Sequence, residues 1–208
     1  NDCRMPRLRS TGKIIKRLGL ANVALTLYDA QQYPAPDCCF DKILVDAPCS
    51  CEGTFRKNIE REFAEISLGQ RRYLTQVQYN CLKQAIRMCK AGGQILYSTC
   101  TFAAEENECI IQKILDKHAD DVEVQPLGLT GWQYQPGWEN WRGQSFHADI
   151  VQHAVCIWPH QNNTGGFFMC LLRKKPSTPA ASDIQDDVSE HWCDLPHLTD
   201  DIPKIEQL

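Results

Sequence analysis

Two short apolar runs, FDKILV at residues 40–45 and QILYS at 94–98, stand on either side of one long amphipathic stretch. This order constrains the chain more than any other feature. Residues 71–89 place Leu74, Val77, Leu82, Ala85 and Ile86 at helical spacing, so this segment reads as a helix, with Gly92-Gly93 as its stop. A further helix is expected from Ala103 to His118, with Glu105 and Glu106 early, where the helix dipole favours acidic groups. Strands alternating with helices of this length imply βαβ units and a mostly parallel sheet.

The flanks extend the pattern. Arg4 to Leu18 reads as a helix with Leu8, Ile14, Ile15 and Leu18 on one face and Gly19 as its stop. Val23 to Leu27 is a short β-rich run ending at Tyr28-Asp29. Residues 154–158 and 167–172 flank PHQNNTGG and are expected to form an antiparallel hairpin closing the sheet. Trp132, Trp138 and Trp141 lie in a Gly- and Pro-rich stretch, expected to be a loop packed on its own domain rather than a base-stacking surface. After Lys175 the chain turns acidic and reads as a linker or the start of an extension, so residues 1–175 are taken as one catalytic-type domain and 176–208 as separate.

Composition sets limits. The net charge is −4, but residues 176–208 hold one Lys and eight acidic residues, whereas residues 1–175 hold 21 basic and 18 acidic. The average therefore does not exclude a nucleic-acid partner. No apolar run reaches the roughly 18 residues of a membrane helix. The 12 cysteines show no C-x2-C spacing, and His153 and His160 complete no ligand ladder. The chain reads as reduced and cytoplasmic, without metal and without membrane, and as a monomer. Cys81, Cys89, Cys109, Cys156 and Cys170 lie in apolar stretches and are expected to be core residues. The chain begins at Asn1 without an initiator, and is expected to be part of something longer.

In parallel sheets, ligand-binding residues lie beyond the carboxyl ends of strands. Here the expected strand ends deliver Asp29, then Asp46 with Pro48-Cys49, then Thr99-Cys100. Two thiols and one carboxylate in one cleft suit covalent catalysis on an electrophilic ring carbon. A thiolate attacks C6 of a pyrimidine, and C5 then accepts a methyl group. A base removes the C5 proton and the thiolate leaves. A thiol redox protein is the weaker reading, because no C-x-x-C exists.

The wording of the motifs goes further. DAPCSCEGT resembles the DAPCSGxGT motif of RNA cytosine-5 methyltransferases, and YSTCTFAAEENE resembles their companion YSTC…EN motif. VCIWPHQNNTGGFFMCLL resembles the RxWPH…TGGFFxAxL segment, and the opening ND…RL with NV…L…DA resembles the stretch after the family's glycine-rich cofactor loop. The chain is therefore similar, from residue 1 to about 175, to the NOL1/NOP2/Sun family, and most like its bacterial 16S rRNA methyltransferase F branch.

The resemblance implies a Rossmann-like core that uses S-adenosyl-L-methionine to methylate cytosine C5 in RNA, rRNA before tRNA. It implies Cys100 as nucleophile, Cys49 in product release, and Asp46 at the base and the methionine end. Asp29 would lie near adenine and Asp2 on the ribose hydroxyls; read alone, Asp29 is a loop-capping aspartate. Arg56 and Lys57 could contact phosphate, with a solvated basic pair as the alternative. Arg71-Arg72 are expected on a solvated helix face, Glu105, Glu106 and Asn107 as helix caps, and His160 in a structural role.

Two departures stand out. Cys51 replaces the usual glycine, and its thiol could form a disulfide with Cys49 or Cys100. No G-x-x-x-G-K-T-like loop occurs in these residues, so the alternative is a truncated RNA-binding module without turnover.

Overall fold

A computed structural model describes residues 1–56 and 66–176. Lys57 and the acidic segment from residue 177 on lie outside the described residues. The chain divides into two compact units, the first built on Asn1–Pro36 and the second on residues 37–176.

In the first unit, helix α1 (Met5–Leu18) starts with a proline in its first turn and ends at Gly19. Gly19 takes φ 66°, and its N–H reaches the Ile15 and Lys16 carbonyls, a left-handed stop that glycine adopts without strain. The expected inward face is only partly so. Leu8 is buried, but Ile14 and Leu18 are exposed. The β-rich run at 23–27 forms no ladder. Residues 1 and 2 take up its backbone instead: Asp2 N–H donates to the Thr26 carbonyl, and Asn1 Oδ1 accepts from Thr26 Oγ1 and Tyr28 N–H. Asp29 caps a short 3-10 turn (Ala30–Gln32), accepting from Gln31 N–H at 2.9 Å.

The second unit carries the sheet. Strand β1 (Phe40–Asp46) is followed by α2 (Leu68–Met88), β2 (Cys89–Thr99), α3 (Glu108–His118) and β3 (Val122–Gln125). Then come a two-stranded ribbon, β4 (Asn140–Trp141) and β5 (Gln144–Ser145), and α4 (Ala148–His153). The unit closes with β6 (Val155–Ile157), α5 (Pro159–Asn162) and β7 (Phe167–Lys174). The strand order is β1-β2-β7-β3, and β6 also pairs with β7.

Strands β1 and β2 are parallel, a pairing that needs a long crossover, which α2 supplies. Strand β7 is antiparallel to β2, β3 and β6, so β7 alone runs against the other four. This is the Rossmann-like core that the motifs imply. Insertion of β7 between β2 and β3, rather than at the margin, is a feature the sequence pattern does not reveal.

Helix α2 begins with a capping box in which Ser67 and Gln70 satisfy each other's backbone N–H groups. It ends at Met88, not at Gly92-Gly93. The two glycines instead lie inside β2, where the register against β1 shifts. A Cβ on Gly93 would meet the Asp41 carbonyl at 2.7 Å, so glycine permits the close approach of the two strands. The helix expected from Ala103 also divides. A 3-10 turn (Ala104–Glu106) ends at Asn107, and α3 starts only at Glu108.

Between the sheet and α2 and α3 lies the core: Leu82, Ile95, Tyr97, Ile111, Ile114, Phe168 and Leu172, all fully buried. Each such aliphatic or aromatic side chain contributes roughly 1.5–3 kcal/mol. Cys81, Cys89 and Cys170 join them, but Cys109 and Cys156 are only half-buried. Burial pushes the Cys109 thiol up to about 11. Of the three loop tryptophans, only Trp141 packs against the core, while Trp132 and Trp138 stay 47% and 46% exposed. Among the described residues no helix is long and apolar enough to cross a membrane.

Candidate active site

The register of β1 and β2 sets Asp46 opposite Ser98, so the loops that follow both strands leave the same edge of the sheet. The first loop carries Cys49 and the second Cys100. Their sulfurs lie 3.4 Å apart, and Cys100 N–H points at the Cys49 sulfur at 3.4 Å. The hydrogen bond with Cys100, and then burial, push the Cys49 thiol well above the usual thiol range. Cys49 therefore keeps its proton, and two sulfurs this close carry at most one negative charge between them. Ser98 Oγ reaches toward Asp46 Oδ1 at 3.5 Å, and the exposed carboxylate keeps most of its acceptor capacity.

A buried polar network holds the two loops in register. Glu106 is fully buried, and one of its oxygens accepts from Ser50 N–H at 2.9 Å and Gln78 Nε2 at 2.9 Å. Its other oxygen accepts from Arg71 Nη1 at 2.7 Å. Gln78 also donates to the Pro48 carbonyl at 2.8 Å, and Arg71 reaches Glu52 at 2.8 Å. The Ser50 and Thr101 hydroxyls lie 2.6 Å apart, and Asn107 accepts from Thr99 Oγ1 at 2.6 Å while donating to the Thr101 carbonyl at 3.0 Å. Arg71 is thus an internal ion-pair partner rather than part of a solvated helix face. Glu106 and Asn107 fasten the cysteine loops rather than simply cap a helix.

Sequence reasoning misses Glu106, Gln78 and Arg71 because their partners are 19 to 56 residues away. The available signal is Glu106 itself, a carboxylate followed by an apolar helix and preceded by Phe102-Ala103-Ala104.

The hairpin loop before β7 closes the site from the other side. Gly53 N–H donates to the Cys100 carbonyl at 2.8 Å, and Gly166 N–H donates to the Gly53 carbonyl at 2.9 Å. A Cβ on Gly53 would stand 2.5 Å from the Gly166 carbonyl oxygen, so only glycine lets these two backbones touch. Phe102 and Trp158 stack beside them at 4.8 Å between ring centres. The result is a cavity of about 520 Å³ whose lining includes Gly53, Thr54, Arg56, Cys100, Trp132 and Gly166. A volume in that range suits one aromatic heterocycle with its sugar.

Cys51 adds a third sulfur, 4.0 Å from that of Cys49. Its φ of 61° is left-handed, which costs a residue with a Cβ about 1–2 kcal/mol.

Asp2 and Asp29 belong to the first unit. The Asp2 carboxylate pairs with Arg7 at 3.2 Å, accepts from Arg4 N–H at 2.8 Å, and flanks a second cavity of about 460 Å³ bounded by Asn1, Thr11 and Leu25. Asp29 also accepts from the Gln31 side chain at 3.2 Å. Lys57, expected beside Arg56, lies outside the described residues.

The chain thus presents a Rossmann-like sheet with two thiols and a carboxylate beyond the carboxyl ends of its two parallel strands. Over residues 1–173 the chain matches the family described as 16S rRNA methyltransferase RsmB/F. The chain belongs to that family. It is 33% identical over 181 residues to the ribosomal RNA small subunit methyltransferase F of Aeromonas salmonicida, covering 86% of this chain and 35% of that protein. It is 31% identical to the tRNA (cytosine(49)-C(5))-methyltransferase of Pyrococcus abyssi, covering 84% of this chain and 54% of that one.

Among solved structures, a methyltransferase homolog protein from Pyrococcus horikoshii matches with a TM-score of 0.70 and 32% identity, over 83% of this chain and 52% of that chain. NSun6 from Pyrococcus horikoshii with SFG matches with a TM-score of 0.67 and 29% identity, over 83% and 40%. The chain spans about a third of the length of the first bacterial relatives it matches.

Proposed function

We propose that this chain carries the cysteine site of an enzyme that methylates C5 of cytosine in RNA, ribosomal RNA first and transfer RNA second. The observation that carries the reading is the Cys49–Cys100 pair, 3.4 Å apart beyond two parallel strands, with Cys100 in the wall of a base-sized cavity. A relative named as a ribosomal RNA methyltransferase and one named for cytosine C5 of tRNA together support the substrate class, and the family match to 16S rRNA enzymes favours rRNA.

S-adenosyl-L-methionine, when bound, supplies the methyl group as an electrophile. Within the first unit the residues present suit the ribose of such a ligand: Asp2 flanks a cavity with an acceptor carboxylate, and Asp29 offers exposed oxygens. A carboxylate of this kind accepts ribose hydroxyls or pairs with an ammonium. The match to a structure solved with SFG, an analogue of this cofactor, supports the same choice.

The protein's own chemistry then follows. The target cytosine, turned out of its stack, enters the cavity so that C6 meets the Cys100 sulfur. The sulfur forms a bond to C6, and the electron pair displaced toward C5 makes that carbon nucleophilic enough to take the methyl group. Asp46 hydrogen-bonds the ring and stabilises charge built up on it. With the Cys100 sulfur bonded to carbon, the Cys49 S–H proton passes to solvent; the Cys49 thiolate then takes the C5 proton, and the C5–H electron pair re-forms the C5–C6 double bond and expels Cys100 as its thiolate. Arg56 at the rim meets a phosphate, and exposed Trp132 offers a face on which a neighbouring base can stack.

The test is transfer of labelled methyl from S-adenosyl-L-methionine to unmodified rRNA and tRNA by the full-length protein. Label recovered as 5-methylcytosine supports the reading. Label on any other atom, or on neither RNA, contradicts it.

A further inference from the structure

We propose that the sulfurs of Cys49, Cys51 and Cys100 form a three-thiolate site for a thiophilic d10 cation of the zinc(II) or copper(I) kind. The sequence spacing hides it, since C-x-C alone is no metal motif and the third sulfur comes from the end of another strand. The structure gathers all three within 4.8 Å of one another, with 3.4 Å between Cys49 and Cys100 and 4.0 Å between Cys49 and Cys51. With those separations, a point equidistant from the three sulfurs lies no more than about 2.4 Å from each, against about 2.3 Å for a zinc–thiolate bond. Soft thiolate ligands select zinc and copper(I) over harder ions. Three protein ligands leave zinc a fourth position for water; all three cysteines are half-buried, and Cys100 lines the cavity that would admit it.

Cys51 is the residue that makes the site. It holds a left-handed conformation that glycine would adopt more cheaply. Binding is a simple exchange: three S–H protons pass to solvent as three metal–sulfur bonds form, with no change of oxidation state. While the ion is held, the Cys100 sulfur shares its charge with the metal and is a weaker nucleophile toward a pyrimidine. The capture of the ion itself needs neither RNA nor the methyl donor.

The test titrates the reduced full chain, without oxygen, RNA or methyl donor, with zinc(II) and separately with copper(I), each against a competing chelator. One equivalent of at least one ion is expected. Cys51→Gly should raise its Kd at least ten-fold, and Cys51→Ser, which keeps the size but hardens the donor, should do the same. Glycine accepts φ 61° freely, so Cys51→Gly should melt no lower than the parent and its lost affinity cannot be ascribed to unfolding. Equal affinity in parent and Cys51→Gly for both ions, or no uptake by the parent, overturns the proposal. Because methyl transfer is not read, that failure is separate from a failure of the proposed function.

Discussion

Cys100→Ala is expected to lower methyl transfer to RNA by at least a factor on the order of 10³, since the bond to C6 has no other nucleophile to make it. Cys49 cannot substitute. With the Cys100 sulfur gone, burial still pushes the Cys49 thiol up, and of the two cysteines only Cys100 lines the cavity. The substitution removes one sulfur from the wall of a cavity of about 520 Å³ and leaves Arg56 and Trp132 at its rim. RNA affinity should therefore fall little while turnover is lost, which separates a chemical role from a binding role. The measurement is single-turnover transfer together with RNA binding for the same preparation. Turnover within ten-fold of the parent would remove Cys100 from the reaction.

The second large effect concerns folding. Glu106→Ala is expected to cost about 3–5 kcal/mol, the range for breaking a buried ion pair from one side. The lost carboxylate leaves the Ser50 N–H, one Gln78 donor and one Arg71 nitrogen without the acceptor they share. Arg71 keeps Glu52 and is partly exposed, which limits its share. Glu106→Gln keeps an acceptor but removes the charge, and should cost less, about 1–3 kcal/mol. For a chain of this size a loss of 3 kcal/mol lowers the melting temperature by roughly 6–12 °C. Calorimetric melting of both variants checks the order. A shift below 2 °C for Glu106→Ala would show that the loops hold together without this network. The cysteine pair should feel the same change, because Ser50 lies between Cys49 and Cys51 and loses its anchor.

Local patterns carried much of this architecture and contacts across the fold carried the rest. FDKILV and QILYS read as strands because their signal is local, whereas the amphipathic pattern starts α2 at Arg71 and misses the Ser67–Gln70 capping box that starts it at Leu68. Cys49 and Cys100 were recognisable by motif, and the parallel register then sets them side by side. The run at 23–27 misleads because β-propensity alone makes no strand; its backbone is satisfied by Asn1 and Asp2. Gly92-Gly93 mislead for a similar reason. A glycine pair can mark either a helix end or a close strand approach, and only the Asp41 carbonyl opposite Gly93 decides. Arg71 reads as a surface charge until the fold brings Glu52 and Glu106 to it. Likewise, exposure of Trp132 at the cavity is decided by the packing of the hairpin loop, not by its own neighbours in sequence.

The division of labour between the two cysteines is the centre of the account, and Cys49→Ala tests it most directly. Without that thiol the C5 proton stays in place after methyl transfer, so the Cys100–C6 bond cannot break. Incubated with S-adenosyl-L-methionine and unmodified rRNA or tRNA, the full chain carrying Cys49→Ala should accumulate a protein–RNA adduct that survives denaturing electrophoresis. The Cys49→Ala/Cys100→Ala double variant should form none. Rapid turnover by Cys49→Ala without an adduct, or an adduct that persists in the double variant, would contradict the assigned roles.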